Sequence, residues 1–213
     1  MGINMVFKVK KAFTLAEVLV ALTIIGIVAA MTIPSIMQST QEAELKSAYK
    51  KAYAEMSQAV MKMAQDNGGD LSAYNGAARS FKPDYIKYFD IIKDCSVVSC
   101  VPSISSSDIY KTYNGNPANT ALFDDGQFVL KNGMTVMIEN TNGGNIYISV
   151  DVNGHQKSPN VWGKDIITFH LLNNRLVPMG AANTSITNLS TYCSSSSSSY
   201  YNGIACAAQM LQQ

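Results

Sequence analysis

The spacing of apolar side chains changes character twice along this chain. Between Val18 and Met37 no charged residue interrupts a run of Val, Leu, Ile and Ala. An α-helix rises about 1.5 Å per residue, so residues 13–37 are long enough to cross a hydrocarbon core of about 30 Å. From Gln38 the run becomes amphipathic. Leu45, Tyr49, Ala52, Met56, Ala59, Val60 and Met63 recur at steps of three and four and form one helix face. Glu42, Glu44, Lys46, Lys50, Lys51, Glu55 and Lys62 fill the others, with Glu42 and Lys46 a favourable pair one turn apart. The stretch Asp66-Asn-Gly-Gly69 stops the helix. A single helix over residues 13–66 is roughly 80 Å long. Its second half needs a partner for the Leu/Tyr/Met stripe, and a sheet of the same chain is the expected one.

Residues 68–82 read as loop, and Pro83 to Asp94 as a short helix with Pro near its start and Ile86, Phe89 and Ile92 repeating at helical spacing. Residues 95–121 show no period. After Asp124-Asp125-Gly126 the rhythm becomes that of strands. Gln127–Leu130 and Met134–Glu139 flank Asn132-Gly133, a hairpin signal. Asn142-Gly143-Gly144 makes a second turn before Asn145–Asp151, and Ile166–Leu171 with Arg175–Pro178 forms a further hairpin around Asn173-Asn174. The expected fold is α+β: an antiparallel meander of four or five strands laid on the second half of a long N-terminal helix. The organisation is a leader over 1–12, an apolar helix over 13–37, its amphipathic continuation over 38–66, and a globular head over 67–213.

Charge narrows the function classes. There are 16 Lys+Arg against 15 Asp+Glu, and charged residues make up only 15% of the chain, too few for a strongly basic nucleic-acid binder. Lys82, Lys87 and Lys93 are the cations a nucleic-acid site on the head would use. A hydrophobic fraction of 47% excludes long disorder. Lys8, Lys10 and Lys11 precede residue 13 without an acid, which leaves 13 basic against 15 acidic side chains beyond them and predicts a cytoplasmic N-terminus. His155 and His170 are the two histidines, and no GxSxG elbow, glycine-rich phosphate loop or HExxH motif appears, so the chain is read as a non-enzyme. Four cysteines, at 95, 100, 193 and 206, point to an oxidising compartment and allow three connectivities. Proximity favours Cys95–Cys100 and Cys193–Cys206. The second closes a loop holding six consecutive serines, Ser194–Ser199, and is worth about 3 kcal/mol in the chain-entropy model. This loop reads either as a contact surface or as a tethered C-terminus. Asp151, Asn153, Asn160 and Asp165 lie in an oxygen-rich connection between two strands and supply part of the six to eight oxygens a Ca²⁺ ion takes. The spacing is not that of an EF-hand, and an ordered Asx/Pro turn capped by Trp162 explains the same residues.

Glu17 decides between readings of the first 40 residues. A carboxylate in an apolar span costs roughly 2.5–3.5 kcal/mol at a helix centre and less near an end. A plain membrane anchor does not need it, nor does a secretory signal peptide cut after Val28-Ala29-Ala30. Lys-Lys-Ala-Phe-Thr-Leu-Ala-Glu-Val-Leu-Val-Ala-Leu-Thr-Ile-Ile-Gly, followed by an apolar helix with Gly26 and Pro34, resembles the prepilin N-terminus of type IV pilins and type II secretion pseudopilins. The resemblance is close over residues 8–37. It implies that a membrane prepilin peptidase cuts between Ala12, where the family usually has Gly, and Phe13, and methylates the new amine of Phe13. That amine is mostly cationic at neutral pH. By the same resemblance, Phe13 of one subunit meets Glu17 of its neighbour, and the helix bends or loosens between Gly26 and Pro34; proline alone is expected to kink it near Ala30. Glu17 pairing within its own chain, or snorkelling to the headgroups, is the simpler alternative. The implied partners are the prepilin peptidase, other pilin-like subunits in a filament, inner-membrane assembly machinery and membrane lipid, with no nucleic acid. The head is then extracytoplasmic, on a single-pass membrane protein. The oxygen-rich connection also resembles those of some pseudopilin heads where calcium is sometimes bound. The alternative function is a membrane-tethered or secreted binding or adhesion protein that does not polymerise.

Overall fold

The computed structural model describes residues 13–101, 109–140 and 143–212. The leader with Ala12, and Asn142 of the second expected turn, lie outside them. The chain divides into two units, Met1–Ala43 and Glu44–Gln213, and α1, Leu15–Asp66, contributes residues to both.

In the first unit α1 is long and apolar enough to cross a membrane, and its large apolar side chains stand exposed. The helix continues through Gly26 and Pro34. Proline lacks the N–H that would bond the carbonyl of Ala30, so that carbonyl is left without its helical donor.

In the second unit the expected stripe is the buried one: Tyr49, Ala52, Met56, Ala59, Val60 and Met63 are buried, and Leu45 is partly so. The helix ends as its sequence dictates. Gly69 N–H donates to the Ala64 carbonyl at 2.7 Å and Gly68 N–H to the Gln65 carbonyl at 3.3 Å, with Gly68 at φ 72°. These paired bonds across a left-handed residue make a Schellman cap, which glycine adopts without a Cβ penalty.

After α2, Phe81–Tyr85, the chain forms one six-stranded antiparallel sheet in sequence order: β1 Ile91–Asp94, β2 Gly126–Leu130, β3 Thr135–Asn140, β4 Ile146–Asp151, β5 Ile166–Leu172 and β6 Arg175–Pro178. Two short helices follow, α3 Leu189–Tyr192 and α4 Ala207–Gln212. The α+β architecture is the one expected, with one strand more. That strand, β1, corrects the reading of Pro83 to Asp94 as a helix. Only its first part is helical, and Phe89 already has extended backbone at φ −127°, ψ 150°. Ile91 and Asp94 pair with Leu130 and Phe128, so an edge-strand partner overrides the helical spacing of Ile86, Phe89 and Ile92.

Strand register sorts the side chains. Phe128, Leu130, Val136, Ile138, Ile146, Ile148, Val150, Ile167 and Phe169 share one face and pack with the helix stripe. The opposite face carries Gln127, Thr135, Met137, Tyr147, Ser149, Asp151, Thr168 and His170, and all of these are buried as well. Irregular segments cover it, bringing Tyr110, Phe123, Trp162, Ile204 and the Cys95–Cys100 disulfide into a second core. Burial there requires partners for the polar groups. The Gln127 amide donates to the Val101 and Phe123 carbonyls and accepts from Cys100 and Val101 N–H; the Ser149 and Thr168 hydroxyls meet at 2.8 Å; Trp162 Nε1–H donates to Thr168 Oγ1.

Met56 is fully buried between α1 and the sheet. Met56→Ala is expected to cost about 2–5 kcal/mol. A urea titration of the full chain in detergent, followed by Trp162 fluorescence, checks this; a loss below about 1 kcal/mol contradicts the packing described.

Candidate functional site

Between Phe13 and Met37 the first unit carries a single acid, Glu17, and local sequence decides how that acid is held. Thr14 stands immediately before α1 and Glu17 in its first turn. Thr14 N–H donates to Glu17 Oε2 at 2.8 Å, Thr14 Oγ1–H donates to the same oxygen at 2.7 Å, and Glu17 N–H donates back to Thr14 Oγ1 at 3.2 Å. This is a capping box, which satisfies backbone donors that no helical carbonyl reaches. Four other hydroxyls of the unit turn onto their own helix: Thr23 to the Leu19 carbonyl, Thr32 to Val28, and Ser39 and Thr40 to Ile36. Among the described residues no donor meets Glu17 Oε1. Phe13 is exposed, and nothing lies within 4 Å of a Cβ built on Gly26. Thr14 was not singled out from the sequence, although the spacing Thr-x-x-Glu before an apolar run is the signature that finds it.

In the head, Asp151, Asn153, Asn160 and Asp165 are gathered by the connection between β4 and β5. Asp165 accepts from Asn160 N–H and Val161 N–H, each at 2.7 Å. Asp151 accepts from Gly154 N–H at 2.9 Å and from the Tyr110 hydroxyl at 3.0 Å. Gly154 sits at φ 88°, and a Cβ there would lie 2.5 Å from the Gly133 carbonyl oxygen, so the turn requires glycine. Burial first, and then the charge of Asp165, pushes the Asp151 carboxyl up to about 7. Burial also raises Asp165, against the backbone donors that favour its charged form. The carboxylate oxygens thus already close the turn. The buried oxygens there that lack a donor are Asn153 Oδ1 and Asn160 Oδ1. A hard cation would find these two, with the remaining lone pairs of the two aspartates.

A second acidic group was not legible in the sequence. Asp124, Asp125 and Glu139 place carboxylate oxygens within 4.8 Å of one another, because the β2–β3 pairing sets the start of one strand beside the end of the other. Arg79 lies 3.4 Å from Asp125, and Asn140 N–H donates to Asp125 Oδ2. Burial, a hydrogen bond with Asp124 and the charges of Asp125 and Asp124 raise Glu139 to about 8.

Cys95 is bonded to Cys100 and Cys193 to Cys206. The serine run inside the second loop is pinned: Asn202 donates to the Ser194 and Ser197 carbonyls and accepts from Ser194 N–H, and Asn114 also donates to Ser197. Both histidines serve structure. His155 Nδ1 meets Thr135 Oγ1 at 2.9 Å. His170 Nδ1 accepts from Ser185 N–H, which leaves Nε2–H to donate to Asn145. Lys82, named above as a cation a nucleic-acid site would use, is buried, with its ammonium on Asp94 and on the Ser96 carbonyl, and Lys87 pairs with Asp84.

Residues 7–33 match the family model of the prokaryotic N-terminal methylation motif. No curated protein and no solved structure matches the chain. The motif makes the N-terminal segment a prepilin-type segment of the kind a prepilin peptidase processes. It suggests a structural role for the chain, and with the apolar helix it fits a membrane-anchored protein.

Two outcomes test the head. Asp165→Ala strands two backbone N–H groups and is expected to destabilise the chain by about 2–4 kcal/mol in urea titrations, with Asp165→Asn milder; equal stability contradicts the turn-closing role. Because Glu139 titrates higher in the folded chain than at its ordinary 4.5, the folded state holds the extra proton between those values. The share of stability that Glu139 contributes is therefore full below about 4.5 and lost as pH rises toward 8. Melting temperatures across that range should fall more steeply for the native chain than for Glu139→Gln; parallel profiles contradict it.

Proposed function

We propose that this chain is a structural subunit of a pilin-like filament, either a type II secretion pseudopilus or a type IV pilus, that polymerises through its N-terminal helix. The observation that carries the proposal is the methylation motif lying on the first half of α1, whose large apolar side chains from Leu15 to Met37 are exposed and which bears one carboxylate before a long uncharged run. Cleavage between Ala12 and Phe13 creates an amine at Phe13. In a low-dielectric bundle, opposite charges attract far more strongly than in water. Seating the Phe13 amine of one copy on Glu17 of another neutralises two charges that lipid disfavours and sets the axial register of the polymer. Gly26 and Pro34 loosen backbone hydrogen bonding where packed helices must adapt. Lysines of the leader stay cytoplasmic, the helix sits in the inner membrane before assembly, and the head is extracytoplasmic, where two disulfides persist. The partners are then the peptidase, neighbouring subunits, the assembly machinery and lipid.

Glu17→Ala tests this in cells that make the full chain with its own machinery. Membrane insertion and cleavage are expected to be unchanged, while the assembled fraction, measured by immunoblot of sheared filaments, drops at least tenfold. Normal assembly of the variant contradicts the charge-pair mechanism.

A further inference from the structure

We infer that Thr14 is a positioning residue for assembly: it commits Oε2 of Glu17 to the chain's own helix and leaves Oε1 for the amine of a second copy. The inference rests on the filament reading above and adds a residue to it. Three observations carry it. The two Thr14 donors converge on one carboxylate oxygen, at 2.8 and 2.7 Å, rather than dividing between the two. The return bond from Glu17 N–H to Thr14 Oγ1 fixes the hydroxyl as well, so both side chains are ordered before any partner arrives. The hydroxyls of Thr23, Thr32, Ser39 and Thr40 go to backbone carbonyls, whereas that of Thr14 goes to the Glu17 carboxylate.

The arrangement uses nothing from the leader. Cutting before Phe13 leaves the Thr14 amide one peptide inside the new terminus, so the box survives processing. A free glutamate has several rotatable torsions, and ordering it in advance removes an entropy loss that docking would otherwise incur. Holding one oxygen also offers the incoming ammonium a single acceptor of defined direction. Capping and pairing therefore coexist on one carboxylate.

Full-length Thr14→Val, Thr14→Ser, Thr14→Asp and Glu17→Ala are compared in cells carrying the native assembly machinery. The assembled fraction is scored per cleaved, methylated chain, so that an effect on the peptidase does not enter. Thr14→Val should assemble about tenfold less than the native chain, and Thr14→Ser, which keeps the hydroxyl, should restore assembly. Thr14→Asp caps a helix well and keeps the backbone N–H, but its carboxylate has no side-chain proton to donate to Glu17. It should fail like Thr14→Val, whereas a purely structural cap would leave it assembling normally. Normal assembly of Thr14→Val or Thr14→Asp beside a defective Glu17→Ala overturns this inference alone. Normal assembly of Glu17→Ala overturns it together with the filament reading.

Discussion

A carboxylate in an apolar helix persists only if its oxygens are occupied. That constraint organises the N-terminal unit. Glu17 stands at the head of an uncharged run that ends at Met37, and water is not its solvent if that run spans a membrane. One oxygen is taken up locally by Thr14 through a capping box. On the proposed reading the other waits for the Phe13 amine, which does not exist until the leader is removed. Processing then supplies the missing charge, and cleavage and polymerisation become one electrostatic sequence rather than two separate properties.

The head meets a different constraint, that of a sheet buried on both faces. One face is apolar and takes the helix stripe. The other is built of Gln, Thr, Ser, Asp and His yet is equally dry, because irregular segments fold over it. Its central polar groups find partners: Gln127 stitches four backbone groups, Trp162 donates to Thr168, and the aspartates of the β4–β5 connection close a turn. The disulfides fasten the covering segments, and Asn202 orders the serine run that composition alone describes as flexible.

The parts of this fold that sequence made legible are those governed by period. The helix stripe from Tyr49 to Met63, its glycine stop and the strands from β2 to β6 follow from spacing of three, four or two residues. The parts that were not legible are governed by partners. Ile86, Phe89 and Ile92 have helical spacing, but Ile91–Asp94 is claimed by β2. Lys82 looks solvated by type and is buried on Asp94. Glu139 meets Asp124 and Asp125 only through strand register. In the N-terminal segment Glu17 is conspicuous because charge is absent around it, while Thr14, an ordinary residue by composition, is marked only by its spacing from Glu17 and takes its role from three bonds.

The account is tested most directly by the intact mass of the chain isolated from the membranes or filaments of its own cells. It predicts a polypeptide that begins at Phe13 and carries one additional methyl group. Native material that retains residues 1–12 has no Phe13 amine for Glu17 to meet, and contradicts the account.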